Sequence, residues 1–269
     1  MKPASFTYHA PKTVEETVAL LAEHAADDGR ILAGGQSLVP TMAFRLARPP
    51  HLIDINNVDG LDRLEVDGDS LHIGARVRHA AFHTPVCDGP LGALLSTVVA
   101  KIAHLPIRLR GTFCGSVAHA DPASEWCLVT ATLDGEMVAM KKGGERRIAA
   151  RDYFEGVMST ALAEDELLAA VRLPMPAEGT KFGFQEFSRR AGDFAIAMAL
   201  ATYRIEDGRI ADAHIGVGGA EDRPRRVKEA EDALNGQEPG ASAFAAAADA
   251  AAKAVDPMED AQNSALYRR

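Results

Sequence analysis

The chain has 269 residues, enough for one large domain or two modest ones with a proper core. Apolar residues make up 47% of it and charged residues 25%, which excludes intrinsic disorder and fibrous repeats. The formal net charge is −9. Because such a surface repels phosphate backbones and anionic membranes, we predict no nucleic-acid partner.

The cysteines and the distribution of apolar residues indicate the cellular compartment of the protein. Cys87, Cys114 and Cys127 form no Cys-x-x-Cys pair, so neither a disulfide framework nor a cluster site is predicted. No stretch approaches the roughly 18 unbroken apolar residues of a membrane helix. The first residues also lack the apolar core of a signal peptide. We therefore expect no membrane span and a cytoplasmic location.

The first half of the chain is predicted to mix helices, strands and two glycine-bearing loops. Thr13 and Glu16 form a capping-box pattern before a helix that ends near Gly29. Apolar runs and turn residues predict the remaining elements: strands at 30–33, 51–56 and 70–74, helices at 77–87 and 91–103, and loops at 34–37 and 110–116.

From Glu136 the pattern changes to short strands, which predict an antiparallel sheet. These strands are expected at residues 137–140, 147–148, 167–173, 182–189, 195–205 and 210–217. Pro174-Met-Pro176 marks a domain boundary, because neither a helix nor a central strand continues easily through two prolines. Helices are predicted at 226–235 and 241–255, the second an alanine-rich surface helix.

The segment Leu32-Ala-Gly-Gly-Gln-Ser-Leu38 is the first candidate binding loop. Adjacent glycines leave no Cβ between backbone and ligand, so successive N–H groups can form an anion-binding concavity. The side chains of Gln36 and Ser37 add donors. The segment lacks both the Gly-x-Gly-x-x-Gly and the P-loop patterns. A pyrophosphate cradle and a plain tight turn after a strand both fit it.

The segment from Gly111 to Glu125 is the second candidate loop. The hydroxyls of Thr112 and Ser116 can donate to phosphate oxygens, and Gly115 permits close backbone approach. Asp121 or Glu125 can accept hydrogen bonds from ribose hydroxyls or ring nitrogens. Two phosphate-binding loops in an acidic chain favour a bound dinucleotide cofactor over a free anionic metabolite.

Other candidate sites have weaker support. His79 and His83 have the spacing of zinc ligands, but no third ligand is evident. Gly35-Gln-Ser-Leu-Val39 fails the serine-hydrolase elbow at its last position. Cys114 is either a reactive thiol or, as we favour, a small residue that fills space beside a ligand. Four arginines fit either phosphate contacts or surface and interface ion pairs: Arg108, Arg110, Arg189 and Arg190. We predict no catalytic side chain and no metal ligand.

Four motifs in order carry a family resemblance: Phe6-Thr-Tyr-His-Ala-Pro11, Ala33-Gly-Gly-Gln-Ser-Leu38, Thr112-Phe-Cys-Gly-Ser116 with Ala120-Asp-Pro-Ala-Ser-Glu125, and Phe184-Gln-Glu-Phe-Ser-Arg-Arg-Ala-Gly-Asp-Phe-Ala195. With these, nearly the whole chain resembles the FAD-binding medium subunit of the molybdenum hydroxylases, such as carbon monoxide dehydrogenase and xanthine dehydrogenase. The resemblance implies an α+β chain with an FAD-binding fold of the vanillyl-alcohol-oxidase (PCMH) type. Its expected parts are an FAD-binding domain at 1–174, with two α/β subdomains at about 1–56 and 57–174, and a C-terminal antiparallel-sheet α+β domain at 175–269.

The resemblance also implies the cofactor contacts. Residues 32–38 and 112–116 would wrap the FAD pyrophosphate, Glu125 would hold the adenosine side, and nearby apolar side chains would pack on the cofactor. In full, the candidate cofactor-binding residues are Leu32, Ala33, Gly34, Gly35, Gln36, Ser37, Leu38, Ile102, Thr112, Phe113, Cys114, Gly115, Ser116, Asp121, Glu125, Leu167, Leu168 and Gln185. The chain departs from the family in two places. It lacks the lysine often found near Gln185 or Glu186, and it has Cys114-Gly115 where relatives commonly have Gly-Gly.

The function that the resemblance implies is electron transfer. A large molybdopterin subunit would hydroxylate a small heteroaromatic or aldehyde-type substrate or oxidise CO, and a small subunit would carry 2Fe–2S clusters. The FAD of this chain would pass the electrons to an external acceptor, in an assembly expected to be a dimer of heterotrimers. Two alternatives stay open: a self-contained FAD oxidase or reductase of the same fold, and a nucleotide-binding assembly subunit without activity.

Overall fold

The computed structural model describes residues 2–269 and shows a mixed fold of helices and sheets. Its strands are β1 (Thr7–His9), β2 (Arg30–Leu32), β3 (His51–Asp54), β4 (Leu64–Asp67), β5 (Ser70–Gly74), β6 (Glu136–Lys141), β7 (Gly144–Ala149), β8 (Phe154–Gly156), β9 (Ser159–Thr160), β10 (Leu167–Pro174), β11 (Lys181–Phe187), β12 (Ala197–Glu206), β13 (Arg209–Gly218) and β14 (Arg225–Arg226). Its α-helices are α1 (Val14–His24), α2 (Leu38–Ala43), α3 (Gly89–Val99), α4 (Leu105–Arg108), α5 (Phe113–His119), α6 (Glu125–Thr132), α7 (Lys228–Leu234), α8 (Ala241–Ala254) and α9 (Ala265–Arg268).

A small parallel sheet of order β1-β3-β2 opens the fold. Helix α1 connects β1 to β2, as parallel strands require a crossover. The predicted cap is present, since Thr13 Oγ1 accepts a hydrogen bond from the Glu16 N–H at 3.2 Å. The Glu16 carboxylate accepts from the Lys12 N–H at 2.7 Å, one residue earlier than in a standard capping box. The first glycine loop follows β2 directly.

The central layer is a five-stranded antiparallel sheet of order β4-β5-β10-β6-β7. Its middle strand, β10, is buried on both faces from Leu167 to Val171. This near-continuous apolar run is what a strand covered on both sides requires. Helix α6 is buried along its whole length, with Trp126 fully enclosed. The segment predicted as a second glycine loop follows α4 and lies against this layer. It is a loop only as far as Thr112, because α5 begins at Phe113 with Thr112 as its N-cap, so the prediction of a loop to residue 116 was wrong.

The C-terminal sheet has the antiparallel order β11-β12-β13-β14. It packs closely on α6, because a Cβ at Gly216 of β13 would lie 1.9 Å from Thr132 Oγ1. Helices α7 and α8 pack against each other beside β13. In α8 only Ala247 is buried, so the alanine-rich segment is a surface helix, as predicted.

Two predicted helices are wrong in extent. Residues 77–87 contain only a 3₁₀ turn at His79–His83. Thr84 is extended at φ −118°, ψ 152°, because the residue before a proline disfavours the helical region. The helix predicted at 91–103 is α3, which begins at Gly89 with Pro90 in its first turn and ends at Val99. Ala103 has a positive φ of 40°, which stops any continuation.

The fold class predicted from the sequence is confirmed, since mixed elements form sheets in the expected order along the chain. Strand β10 ends at Pro174, the residue chosen as the boundary, but the division at 174 and 175 stays a prediction. Within residues 2–269, the longest α-helix is α8 with 14 residues, and no helix has the length and apolarity of a membrane span.

Candidate functional site

A cavity of about 740 Å³ lies between the two glycine-bearing loops, within the usual range of small-molecule sites. All seven residues from 32 to 38 line it, as do Thr112, Cys114, Gly115 and Ser116 of the second loop. The buried strand β10 contributes Leu167 and Leu168 to the wall. The lining also includes Met158, Ser159, Thr160 and Leu162, and the segment from Leu46 to Pro49 that follows α2. The structure therefore brings the two predicted loops to one cavity.

The first loop presents a run of unused backbone donors. Strand β2 ends at Leu32, whose carbonyl accepts a hydrogen bond from the Ile55 N–H at 3.0 Å. From residue 33 to residue 38, no backbone N–H donates to any acceptor in the described chain. Gly35 has a φ of 71°, the left-handed region that favours glycine and that turns successive N–H groups to one side. The Gln36 amide donates one hydrogen bond within the loop, from its Nε2 to the Gly34 carbonyl at 3.0 Å, which leaves its second N–H for a ligand.

The second loop adds hydroxyl and backbone donors. Thr112 is the N-cap of α5, and its Oγ1 accepts from the Gly115 N–H at 3.0 Å. Phe113 donates its N–H to the Val77 carbonyl at 3.0 Å, which ties the loop to the core. The N–H groups of Thr112 and Cys114 have no acceptor within residues 2–269. Together with the Ser116 hydroxyl, they are available to an anionic group in the cavity.

The two loops touch each other through backbone atoms. A Cβ built on Gly34 would lie 2.5 Å from the Arg110 carbonyl oxygen and 2.6 Å from Gly111 Cα. Real Cβ atoms essentially never come so close, so only glycine fits there. The contact places the donors of the first loop beside those of the second.

The side chains of Arg78 and Asn56 connect the two loops by hydrogen bonds. Asn56 Nδ2 donates to the Ala33 carbonyl at 2.8 Å. The Arg78 guanidinium donates to Asn56 Oδ1 and to the Arg110 carbonyl, so one side chain links both loops. Burial and the neighbouring Arg110 lower the pKa of Arg78. Sequence reasoning named neither residue, because nothing in the local pattern around them indicates this bridge.

Four predicted site residues lie away from the cavity wall. Ile102 and Phe113 are buried in the core, where the Phe113 ring centroid is 4.7 Å from that of Trp126. Asp121 accepts from the Ala123 N–H at 2.9 Å and so stabilises its own turn. Gln185 is exposed on β11. Their predicted roles at a cofactor stay predictions.

Glu125 is also absent from the cavity wall, and its environment is unusual for a carboxylate. It is buried at the start of α6, and this burial raises its pKa to about 8. The nearby carboxylates of Glu186 and Asp121 raise the pKa further. Glu186 is half-buried, its pKa is raised by burial, and its Oε2 has no hydrogen-bond partner in the described chain. At neutral pH Glu125 is therefore protonated and able to donate a hydrogen bond.

The weaker candidates have structural partners. The Cys114 thiol donates to the Ile73 carbonyl at 3.3 Å, and complete burial raises its pKa, so the thiol is unreactive and fills space. His79 Nδ1 accepts from Trp126 Nε1 at 2.9 Å, while His83 lies beside the Arg108 guanidinium. Burial lowers the pKa of His79 to about 4. These two histidines therefore do not converge on one ion.

The donor chemistry of the cavity fits a dinucleotide cofactor. Its inner loops offer neutral N–H and O–H groups at the point where the backbones meet, and a pyrophosphate accepts from such groups without needing a lysine. The apolar side chains of Leu167 and Leu168 line the same cavity and suit an aromatic ring. The fit rests on the presence of both polar donors and apolar side chains in the lining of one cavity.

Family comparisons agree with this chemistry. The FAD binding domain in molybdopterin dehydrogenase matches residues 4–176, and the CO dehydrogenase flavoprotein C-terminal domain matches residues 182–269. The fold and the site thus define the FAD-binding class of oxidoreductase proteins.

Individual relatives identify the family to which the chain belongs within this class. The chain is 40% identical over 268 residues to the nicotine 6-hydroxylase medium subunit of Paenarthrobacter nicotinovorans, covering 100% of this chain and 93% of that subunit. It is 33% identical to the carbon monoxide dehydrogenase medium chain of Hydrogenophaga pseudoflava, with 100% and 93% covered. The chain belongs to the family of FAD-binding medium subunits of the molybdenum hydroxylases.

Solved structures give the same result. The carbon monoxide dehydrogenase from Hydrogenophaga pseudoflava aligns with a TM-score of 0.94 at 34% identity, covering 100% of this chain and 93% of that one. Quinoline 2-oxidoreductase from Pseudomonas putida 86 aligns with a TM-score of 0.92 at 37% identity and the same coverage. The family resemblance, the oxidoreductase class and the FAD cofactor predicted from the sequence are confirmed.

Proposed function

We propose that the two loops hold the FAD pyrophosphate where Gly34 meets Arg110. The N–H groups of residues 33–38 form one side of the cradle, and Thr112, Cys114 and Ser116 supply donors on the other. Leu167 and Leu168 pack against the ring system. The observation that carries this proposal is the run of unpartnered N–H groups facing a shared cavity. Five of the predicted cofactor-binding residues lie outside the cavity wall and would act on the cofactor only through other residues: Ile102, Phe113, Asp121, Glu125 and Gln185.

Bound FAD supplies two-electron and one-electron redox chemistry, which no side chain of this protein provides. The chain itself positions the cofactor, excludes water from the buried wall around β10 and contributes fixed backbone dipoles. Its role is to receive electrons from 2Fe–2S clusters in a small subunit and to release them to an external acceptor. A large molybdopterin subunit oxidises the substrate, a small heteroaromatic or aldehyde-type compound or CO.

The partners follow from the relatives, which are named as medium subunits or chains of larger enzymes. We propose a dimer of heterotrimers, with the FAD-binding domain at 1–174 and the C-terminal domain at 175–269. The two matching family domains, at 4–176 and 182–269, support this division. The three cysteines are unpaired, which suits a reducing compartment and the predicted cytoplasmic location.

The test is FAD content in the purified complex with Gly35→Asp in this subunit. A Cβ at Gly35 would meet Val39 Cγ2 at 3.1 Å and Leu32 Cδ1 at 3.2 Å, at a φ of 71°. The carboxylate would also repel the pyrophosphate. We expect FAD per chain to fall at least tenfold while the complex still assembles.

Gly144→Ala is the matched control, since nothing lies within 4 Å of a Cβ there and its φ is not positive. It should retain full FAD content. Unchanged FAD in Gly35→Asp would contradict the cradle. A wild-type chain that oxidises substrate alone, without molybdenum or iron, would favour the self-contained oxidase. A wild-type complex without FAD would favour the assembly subunit.

A further inference from the structure

Three histidines from separate elements meet at one end of the parallel sheet. His9 ends β1, His24 ends α1 and His51 begins β3. One nitrogen from each imidazole can be chosen so that all three lie within 4.8 Å of one another. The cluster lies outside the cofactor cavity, whose wall includes none of the three.

The cluster is held in place by packing. The His24 and His51 rings are stacked with centroids 3.9 Å apart, and His9 Nε2 lies 3.0 Å from His51 Nδ1. The Gly29 N–H donates to the His24 carbonyl at 2.8 Å, and a Cβ at Gly29 would lie 2.8 Å from His24 Cβ. The turn after α1 therefore restricts the position of the His24 backbone and Cβ.

The donor set suits a transition-metal ion. A neutral imidazole nitrogen is the ligand atom that zinc-class ions most often take from proteins. Tetrahedral zinc with Zn–N bonds of about 2.0–2.1 Å requires ligand atoms roughly 3.3 Å apart. To reach that spacing, the His24 and His51 rings, now stacked at an interplanar angle of 5°, must rotate out of the stack so that their in-plane nitrogen lone pairs converge on the ion.

The polar contacts of the cluster are otherwise sparse. His24 makes no side-chain hydrogen bond in the described chain, and its nearest charge is Glu23, whose Oε1 lies 3.9 Å from His24 Nε2. The Glu23 side chain is 69% exposed, so the carboxylate is free to approach an ion. His24 itself is only 14% exposed, so an ion would be shielded from solvent on one side.

We propose that His9, His24 and His51 bind a divalent transition-metal ion of the zinc class, with water in the fourth position. Imidazole ligands favour such ions over Mg²⁺ or Ca²⁺. The ion would tie β1, α1 and β3 together. Strand β3 ends at Asp54, and Asn56, two residues further on, donates a hydrogen bond to the Ala33 carbonyl of the first glycine loop. The proposed role is structural and departs from the sequence prediction of no metal ligand.

The test is zinc binding by the full chain after chelator treatment, measured with Zn²⁺ in competition with a chromophoric chelator. Wild type should bind one Zn²⁺ per chain, and saturating Zn²⁺ should raise its Tm by about 5 °C. His24→Gln and His9→Asn should each weaken this binding at least tenfold and abolish the Tm rise. His83→Gln is the control, because His83 is exposed and outside the cluster, and it should behave as wild type.

Far-UV circular dichroism and FAD content show whether each variant is folded. Folded His24→Gln and His9→Asn proteins that bind Zn²⁺ as tightly as wild type would overturn the proposal. So would a wild type whose Tm does not respond to Zn²⁺. If one variant fails to fold, the other decides.

Discussion

Gly34 lies so close to Arg110 that a Cβ on the glycine would be 2.5 Å from the arginine carbonyl oxygen. This contact joins two loops that are far apart in the chain and holds their N–H groups around one cavity. Because the loops already touch in the protein alone, the donors that we propose for the pyrophosphate need little reorganisation on binding. Preorganisation of this kind increases affinity by lowering the entropic cost of binding.

Gly34→Ala should separate the loops. The added methyl overlaps backbone atoms of Arg110 and Gly111, and overpacking of this kind costs about 1–3 kcal/mol. We expect FAD affinity to fall roughly tenfold, measured by fluorescence titration of the deflavinated chain. Gly144→Ala should leave the affinity unchanged, and equal affinities in both variants would show that the contact does not shape the site.

Arg78→Met should weaken FAD binding without removing any group from the cavity wall, since Arg78 acts through Asn56 and the Arg110 carbonyl. Two hydrogen bonds from one half-buried cation are lost, and we expect a loss of about 2 kcal/mol, or roughly thirtyfold in Kd. Arg151→Met is the control, because Arg151 is 82% exposed and contacts only Asp152. Asn56→Ala should match Arg78→Met, and the double variant should be less than additive.

Glu125 should make the protein less stable as pH rises. Its pKa in the fold is about 8 against an ordinary 4.5, so between these values the unfolded chain loses a proton that the folded chain keeps. The free energy of unfolding therefore falls from about pH 4.5 to about pH 8 and then levels off for this group. Glu125→Gln should flatten that decline in urea-unfolding curves taken across the range. An unchanged slope would place Glu125 in a more polar environment.

Glu166 should contribute stability with the opposite dependence on pH. Its side chain is 2% exposed and accepts from Arg146 Nε and Nη2, both at 2.7 Å, which holds its pKa below the ordinary value. This stability is present above about pH 4.5 and is lost as pH falls through the lower pKa of the folded state.

Arg146→Met should therefore destabilise the protein by about 1–2 kcal/mol at pH 7, since it leaves a buried carboxylate unpaired. The difference from wild type should shrink below pH 4 in chemical-denaturation measurements. Arg146→Met with Glu166→Gln should recover part of the loss. A single variant as stable as wild type at pH 7 would show that the pair contributes nothing.

Much of the site was visible in the sequence because its chemistry is local. The donors of residues 33–38 belong to one short segment, and adjacent glycines indicate the backbone conformation that Gly35 adopts. The Thr13 cap follows from the same short-range rules, whereas the Thr112 cap of α5 was not predicted. The helix predicted at 77–87 was wrong because Pro85 prevents the helical conformation of Thr84.

The sequence by itself identified the family of the chain and predicted which two backbone segments form a pyrophosphate site. Only the tertiary structure decided that Gly34 meets Arg110, that Arg78 links both loops, that Glu125 is buried away from the cavity and that three histidines converge. The reason is physical: a turn or a cap depends on neighbouring residues, whereas these contacts depend on how separate helices and sheets pack. Burial and through-space distance, which set the pKa of Glu125 and the spacing of the histidines, follow from that packing.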